Sequence, residues 1–243
     1  MATLPALHED LLFNAPLSAQ RADHLAAFVA HDGGHVLDVG CGWAELLLRT
    51  VELSPGTRGT GVDVDSAALE HARELATARG LAERVTLIEG QGAEVAQGPV
   101  DGVLSIGARH VWGPDDATAL GRLRGVVRRG GRVVYGDGIW SRPPTPAAVE
   151  PLGGTPDEFG TLADVVDAAL DAGFRVLAVG EASQQEWDAF ESGYSAGYER
   201  WLLDNPDDPD ADDIRARAAQ HRRAYLRGYR GILGHSFLEL VAA

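Results

Sequence analysis

Short runs rich in valine, leucine and isoleucine recur along the chain with stretches of helical period between them. Few folds other than a parallel sheet covered by helices accept that alternation. Seven runs read as strands, at 35–39, 58–63, 84–89, 100–106, 132–135, 175–180 and 233–241, and the second to fifth are spaced closely enough for βα units. Ser18 is placed to cap a helix carrying Leu25, Phe28 and Val29, and Ser66 to cap one over 67–78. The Gly130–Gly131 pair is expected to end a helix and start a strand, where the chain turns with positive φ.

Two segments interrupt the pattern, a proline-rich stretch over 142–156 and a helical block over 184–229 that separates the last two strands. The expected fold is therefore α/β: a Rossmann-like, seven-stranded, mostly parallel sheet with helices on both faces and a helical insert between the last two strands. The 243 residues suffice for one such domain. Its expected parts are an N-terminal flap and helix (1–30), a ligand-binding half (31–141), the second half of the sheet (142–183), the insert (184–229) and the last strand (230–243). If the sixth strand is parallel and the seventh runs back beside it, the insert lies at the carboxyl edge of the sheet, where open α/β folds bind ligands.

Composition removes several functions. A formal charge of -15 disfavours nucleic acid and anionic lipid as partners. All 21 basic residues are arginine, which excludes Schiff-base chemistry and the lysine of a phosphate-binding P-loop. Cys41 is the only cysteine, so neither a disulfide nor a cysteine-rich zinc site can form, and a reducing cytoplasm fits. No stretch approaches the roughly 18 apolar residues of a membrane span. The histidines (His24, His31, His35, His71, His221 and His235) show no metal-ligand spacing, and no metal is expected. The run over 204–213 reads as a proline-broken loop and an acidic helix start, since it lacks the glycine and terminal glutamate of a calcium loop.

The ligand site is expected to begin at VLDVGCGWAELLLR, a buried strand, a glycine turn and a helix start. Gly40 and Gly42 supply free φ and should let backbone N–H groups approach a ligand, while the helix start favours a carboxylate or phosphate. A dinucleotide fingerprint needs a third glycine where this chain has Glu45. Asp38, two places before Gly40, suits a cationic amino group and would repel a pyrophosphate.

This stretch resembles the first motif of class I S-adenosylmethionine-dependent methyltransferases, with Asp38, Gly40 and Gly42 matching and Ala44 in place of the third glycine. Three more segments match the same family, GVDVDSAALEHARE, VTLIEGQGAEV and VVRRGGRVVYGDG, so that the resemblance covers most of 31–140. Small-molecule enzymes of the quinone-biosynthesis type are closest in pattern. The resemblance implies S-adenosylmethionine as cofactor, S-adenosylhomocysteine as product and a small-molecule acceptor. It puts Asp63 on the ribose hydroxyls, Val64 beside the adenine, Gln91 on the adenine amino group where relatives carry Asp, and Gly92 and Ala93 in backbone contact. Cys41 and Ile106 complete the expected cofactor set.

Methyl transfer from a sulfonium is an in-line displacement and asks little of a protein beyond positioning. His110, after the fourth strand, is the candidate base; the bland alternative is a loop histidine that packs against the ligand. Asp137, Glu181 and Ser183 face the same edge, with turn formation as the ordinary reading. Trp187, Phe190, Tyr194, Tyr198 and Trp201 recur three or four apart, which puts an aromatic stripe on one helix face. Such a stripe is either core or the wall of an apolar pocket, and Glu186, Glu191 and Glu199 between the rings are either a solvated face or a cation-holding wall. The expected substrate side comprises Phe13, Trp112, Trp140, Trp187, Tyr194 and Tyr198, with Phe13 and Asn14 in the flap. Two competing functions remain: a protein that binds S-adenosylmethionine without transferring the methyl group, as a rearrangement catalyst or sensor, and a nicotinamide oxidoreductase, which Glu45 and Asp38 fit poorly.

Overall fold

The structure is a computed structural model and describes residues 9–95 and 98–243. Five parallel strands form its centre: β1 (His35–Val39), β2 (Arg58–Asp63), β3 (Val85–Glu89), β4 (Val100–Ile106) and β5 (Val127–Gly136). Beyond them lie β6 (Gly138–Trp140), β7 (Phe174–Glu181) and β8 (Leu233–Ala242). The order is β3-β2-β1-β4-β5-β8, with β6 and β7 each antiparallel to β8. The eighth strand is an addition to the seven expected: after Asp137 the chain extends the β5 edge of β8 by three residues. Because β1 lies between β2 and β4, consecutive connections leave it in opposite directions, and the crevice at its carboxyl end is the switch point where open α/β sheets take ligands.

Helices cover both faces. On one face α1 (Ala19–Val29), α2 (Glu45–Leu53) and α3 (Ser66–Ala78) bury Leu25, Val29, Leu47, Leu48 and Ala72 against Val36, Leu104 and Val134. The short α4 (Gly92–Val95) and α5 (Arg109–Trp112) follow β3 and β4, then come α6 (Asp116–Val126), another short turn α7 (Pro146–Val149) and α8 (Leu162–Asp171). On the second face α6 and α8 pack Leu120, Leu123 and Val165 on Val103, Val133 and Leu240. The insert is α9 (Gln184–Asp204), a loop over 205–210, α10 (Ala211–Ala224) and one π turn, Tyr225–Tyr229.

Two local expectations are corrected. The cap of α3 is Asp65, whose carboxylate accepts from the amides of Ala67 and Ala68, and Ser66 is already the first helical residue. Strand β5 begins at Val127, so the Gly130–Gly131 pair lies inside it, in a bulge where the register with β4 jumps from Val100↔Val127 to Gly102↔Arg132; Gly130 takes φ 76° there. Ser18 does cap α1, accepting from the amide of Arg21. Ser18 also donates to Glu186 at 2.7 Å, and Glu186 closes the capping box of α9 and accepts from Arg21 at 2.8 and 2.9 Å. One buried carboxylate thus ties the starts of α1 and α9 together, and the hydrogen bonds from Arg21, Ser183 and Ser18 outweigh burial and hold its carboxyl well below the usual range.

Candidate active site

A cavity of about 530 Å³ opens at the carboxyl ends of β1, β2 and β4, within the range of small-molecule sites. Asp38, Gly40, Cys41, Gly42, Asp63, Val64, Gln91, Gly92, Ile106 and His110 line it, together with Phe13 of the N-terminal segment. The two sequence stretches that suggest a nucleoside site are thus brought together on one wall. Ala93 lies in the turn of α4, and its side chain falls outside the described residues.

The glycine loop is built differently from the expectation. Its amides do not point into the cavity as free donors: those of Gly40 and Cys41 bond to the carbonyl oxygen of Val62, and that of Gly42 donates to the Asp63 carboxylate at 2.7 Å. Gly40 and Gly42 are needed for their backbone, with φ of 71° and 52°, and a Cβ at Gly40 would come within 2.8 Å of the Ala108 methyl group. Ala44, in the place of the third glycine, adopts the same left-handed conformation at φ 58° and caps α2 without a side-chain bond. The first amides of α2 therefore keep no side-chain acceptor, and Glu45 and Leu46 at that end line the cavity.

Electrostatics select the ligand's charge. Among the described residues, three carboxylates, Asp38, Glu45 and Asp63, stand in the lining, and no arginine does. Glu45 is offset by Arg49 at 2.7 Å and by Arg79. Asp38 is 6 % exposed and, among the described residues, has no cationic partner. Burial, reinforced by Asp63, pushes its carboxyl up to about 8. The same surroundings push the Cys41 thiol up, so it stays a neutral S–H and is no nucleophile. A buried carboxyl that ionises readily only beside a cation suits an ammonium, and two further carboxylates in the lining disfavour a diphosphate.

The N-terminal segment closes one side. The indole of Trp43, in the glycine loop, donates to the carbonyl oxygen of Leu12 at 2.8 Å, and the guanidinium of Arg49 lies 5.5 Å from the centre of the Phe13 ring. Asn14, Ala15 and Leu17 continue the wall. Phe13, Ala15 and Leu17 also border a second cavity of about 510 Å³, whose far side is Arg21 with Glu186, Ala189 and Phe190 of α9. The expectation at Phe13 and Asn14 had no periodicity behind it; the Trp43 bond that fixes the segment is a long-range contact that sequence spacing does not reveal.

The remaining substrate-side expectations need correction. Trp112 is 2 % exposed in the core, its indole donating to Ser105 at 3.0 Å. Trp140 is buried, bonds the carbonyl of Pro156 at 2.8 Å and meets Phe159 edge-on at 5.4 Å. Trp187 is buried against Phe190 and Tyr229. Tyr194 stacks on His221 at 4.8 Å, and neither Tyr194 nor Tyr198 borders the cavity. The stripe holds α9 to α10 and to the π turn, because a large ring at helical spacing is most easily buried against the next helix. The glutamates between the rings are structural as well: Glu191 accepts from Tyr229 at 2.9 Å and faces His221 at 2.8 Å, and Glu199 pairs with Arg222. Asp137 accepts from the amides of Arg109 and Gly138 at 2.9 and 2.8 Å and so shapes a turn. His110 lies exposed at the rim, in α5, and among the described residues no hydrogen bond fixes its ring. Among the described residues no group of three or more His, Cys, Asp or Glu could hold a metal ion, and no helix is long and apolar enough to cross a membrane.

With this geometry in view, the chain can be set beside known proteins. Residues 36–131 match the profile of a methyltransferase domain family. An uncharacterized protein of Escherichia coli K12, YjhP, is 30% identical over 213 residues, 86% of this chain and 85% of its own. A crystal structure of an S-adenosylmethionine-dependent methyltransferase from Thiobacillus denitrificans in complex with S-adenosylhomocysteine superposes with a TM-score of 0.85 at 27% identity, over 98% of this chain and 96% of that one. Its counterpart from Geobacter sulfurreducens, also in complex with S-adenosylhomocysteine, gives 0.86 at 26%, over 98% and 96%.

Proposed function

The chain belongs to the class I S-adenosylmethionine-dependent methyltransferases, and from that premise we propose that it methylates oxygen, nitrogen or carbon of a small metabolite. Its cofactor is S-adenosylmethionine and its product S-adenosylhomocysteine. The observation that carries the reading is the buried Asp38, which among the described residues has no cationic partner, in a cavity whose described lining holds three carboxylates and no arginine. That lining fits a ligand with an ammonium group and a sulfonium.

In this reading Asp38 takes the amino group, and the start of α2, uncapped by any side chain, takes the carboxylate. Asp63 accepts from the ribose hydroxyls while it braces Gly42. Val64, Gln91, Gly92 and the backbone of Ala93 hold the adenine, and Gly40, Cys41, Gly42 and Ile106 form the floor. Bound there, S-adenosylmethionine supplies an electrophilic methyl carbon. Phe13 and Leu17 exclude water on the side of the N-terminal segment, which strengthens every charge interaction inside. His110 at the rim contacts the acceptor. The single cysteine supports a cytoplasmic setting.

The test is incubation of the protein with methyl-labelled S-adenosylmethionine and a panel of phenols, amines and carbon acids. Label in an acceptor together with stoichiometric S-adenosylhomocysteine supports transfer. An acceptor converted with the cofactor left intact contradicts it and favours the non-transferring alternative.

A further inference from the structure

The N-terminal segment has a second anchorage, on the insert. One face of α9 carries Glu186, Phe190, Gly193, Gly197 and Arg200, spaced four or three residues apart in turn. At its start Glu186 holds Ser18 and Arg21; near its end Arg200 pairs with Asp10, whose side chain is 4 % exposed. Between these ties, residues 10–17 form neither helix nor strand. Among the described residues, the Arg200 pair and the bond from the Trp43 indole to Leu12 are their only hydrogen bonds to other elements. The two cavities flank them and share Phe13, Ala15 and Leu17 as a wall. A stretch with so few hydrogen bonds keeps its place through a handful of side-chain contacts.

One of those contacts needs a glycine. Leu11 is buried, and a Cβ at Gly193 would stand 2.4 Å from its Cδ2 and 3.1 Å from the carbonyl oxygen of Asp10. Any side chain at residue 193 would push Leu11 out of its seat. Glycine weakens the interior of a helix, so α9 gives up stability at the position where Leu11 docks. Gly197, one turn further on, differs: a Cβ there would meet only the Asp10 carboxylate, at 3.8 Å, an ordinary contact.

We infer that Gly193 and Arg200 are positioning residues for the cofactor. They latch Leu11 and Asp10 onto α9, the latch and the Trp43 bond together hold Phe13 against the cofactor cavity, and the insert thereby sets how long the cofactor or its product stays bound. The inference rests on the reading of this cavity as the S-adenosylmethionine site, whatever the acceptor. Leu11 and Phe13 are two residues apart, and two residues of chain reach no more than about 7 Å. The backbone at Phe13 therefore cannot lift far from the cavity while Leu11 stays seated. Opening this side for ligand exchange draws Leu11 off Gly193 and leaves the Asp10 carboxylate without its arginine, and both losses fall on the open state.

The test measures S-adenosylhomocysteine binding by calorimetry, and its dissociation by stopped flow, in wild type, Gly193→Ala, Gly197→Ala, Arg200→Ala and Arg200→Lys. Gly193→Ala and Arg200→Ala should each weaken affinity roughly 3- to 10-fold, the range of one net hydrogen bond, through faster dissociation and with helix content by circular dichroism retained. Gly197→Ala, which favours the same helix without meeting Leu11, should bind as wild type does, and Arg200→Lys, whose ammonium can still pair with Asp10, should recover most of the loss. Combined with Trp43→Phe, Gly193→Ala should add little, because both free the same segment, whereas independent sites on different elements would multiply their losses. Wild-type affinity and dissociation in Gly193→Ala, an equal loss in Gly197→Ala, or a double variant that shows the full product of the single losses overturns the latch and leaves the cofactor site standing. A wild type that binds no S-adenosylhomocysteine overturns both.

Discussion

The carboxylate of Asp63 accepts a hydrogen bond from the amide of Gly42 at 2.7 Å, joining the tip of β2 to the glycine loop across 21 residues. The second oxygen of Asp63 accepts from the amide of Asp65 at 3.0 Å. In the proposed site the same group also meets the ribose, so Asp63→Ala removes a ligand contact and a loop brace together. Hydrogen bonds to charged groups are worth about 1.5–3 kcal/mol, and calorimetry should find affinity for S-adenosylhomocysteine reduced roughly a hundredfold. Asp63→Asn, whose amide oxygen can still accept from Gly42, should lose less.

Asp38 makes binding depend on pH. In the free protein its carboxyl is raised from an ordinary 3.8 to about 8, chiefly by burial, so between pH 6 and 7.5 it holds a proton that an ammonium must displace. Binding should then release close to one proton, and affinity should rise about tenfold per pH unit across that window, below the range where α-amino groups lose their own proton. The sign for folding is the opposite: between 3.8 and 8 the folded chain keeps a proton that the unfolded chain has lost, so ligand-free stability falls as pH rises. Calorimetry in buffers of different ionisation heat measures the released proton directly, and Asp38→Asn should abolish it.

The bond from Trp43 to the Leu12 carbonyl holds the N-terminal segment against the cavity. Trp43→Phe keeps most of the buried ring and deletes the donor. A net hydrogen bond is worth about 0.5–1.5 kcal/mol, so S-adenosylhomocysteine should bind roughly 3- to 10-fold more weakly and dissociate faster by stopped flow, with the urea midpoint little changed.

Ala44 carries a Cβ at φ 58°. A left-handed residue other than glycine costs about 1–2 kcal/mol, partly recovered as unfolded-chain entropy when glycine replaces it. Glycine also gives up a methyl buried in the core, worth about 0.8 kcal/mol, so Ala44→Gly should leave stability in urea unfolding within about 1 kcal/mol of wild type, without moving the affinity for S-adenosylhomocysteine by more than about twofold.

β1 and β4 were legible because a parallel strand buried on both faces is a mostly apolar run, and both lie where such runs predict. That Asp38, Gly40, Gly42 and Asp63 share one cavity wall was legible because they cluster within a few positions of two strand ends. β6 was hidden: three residues that pair only with a strand nearly a hundred positions away leave no periodicity of their own. The aromatic stripe of α9 was visible, but its partners, His221 and Tyr229, come from another helix and a π turn, so spacing alone could not tell core from pocket.

The most direct measurement is a crystal structure of the protein with S-adenosylhomocysteine. The account predicts the amino group on Asp38, the ribose hydroxyls on Asp63 and the sulfur facing the space over Ile106. A ligand bound elsewhere, or one whose amino group avoids Asp38 while its ribose lies away from Asp63, would contradict it.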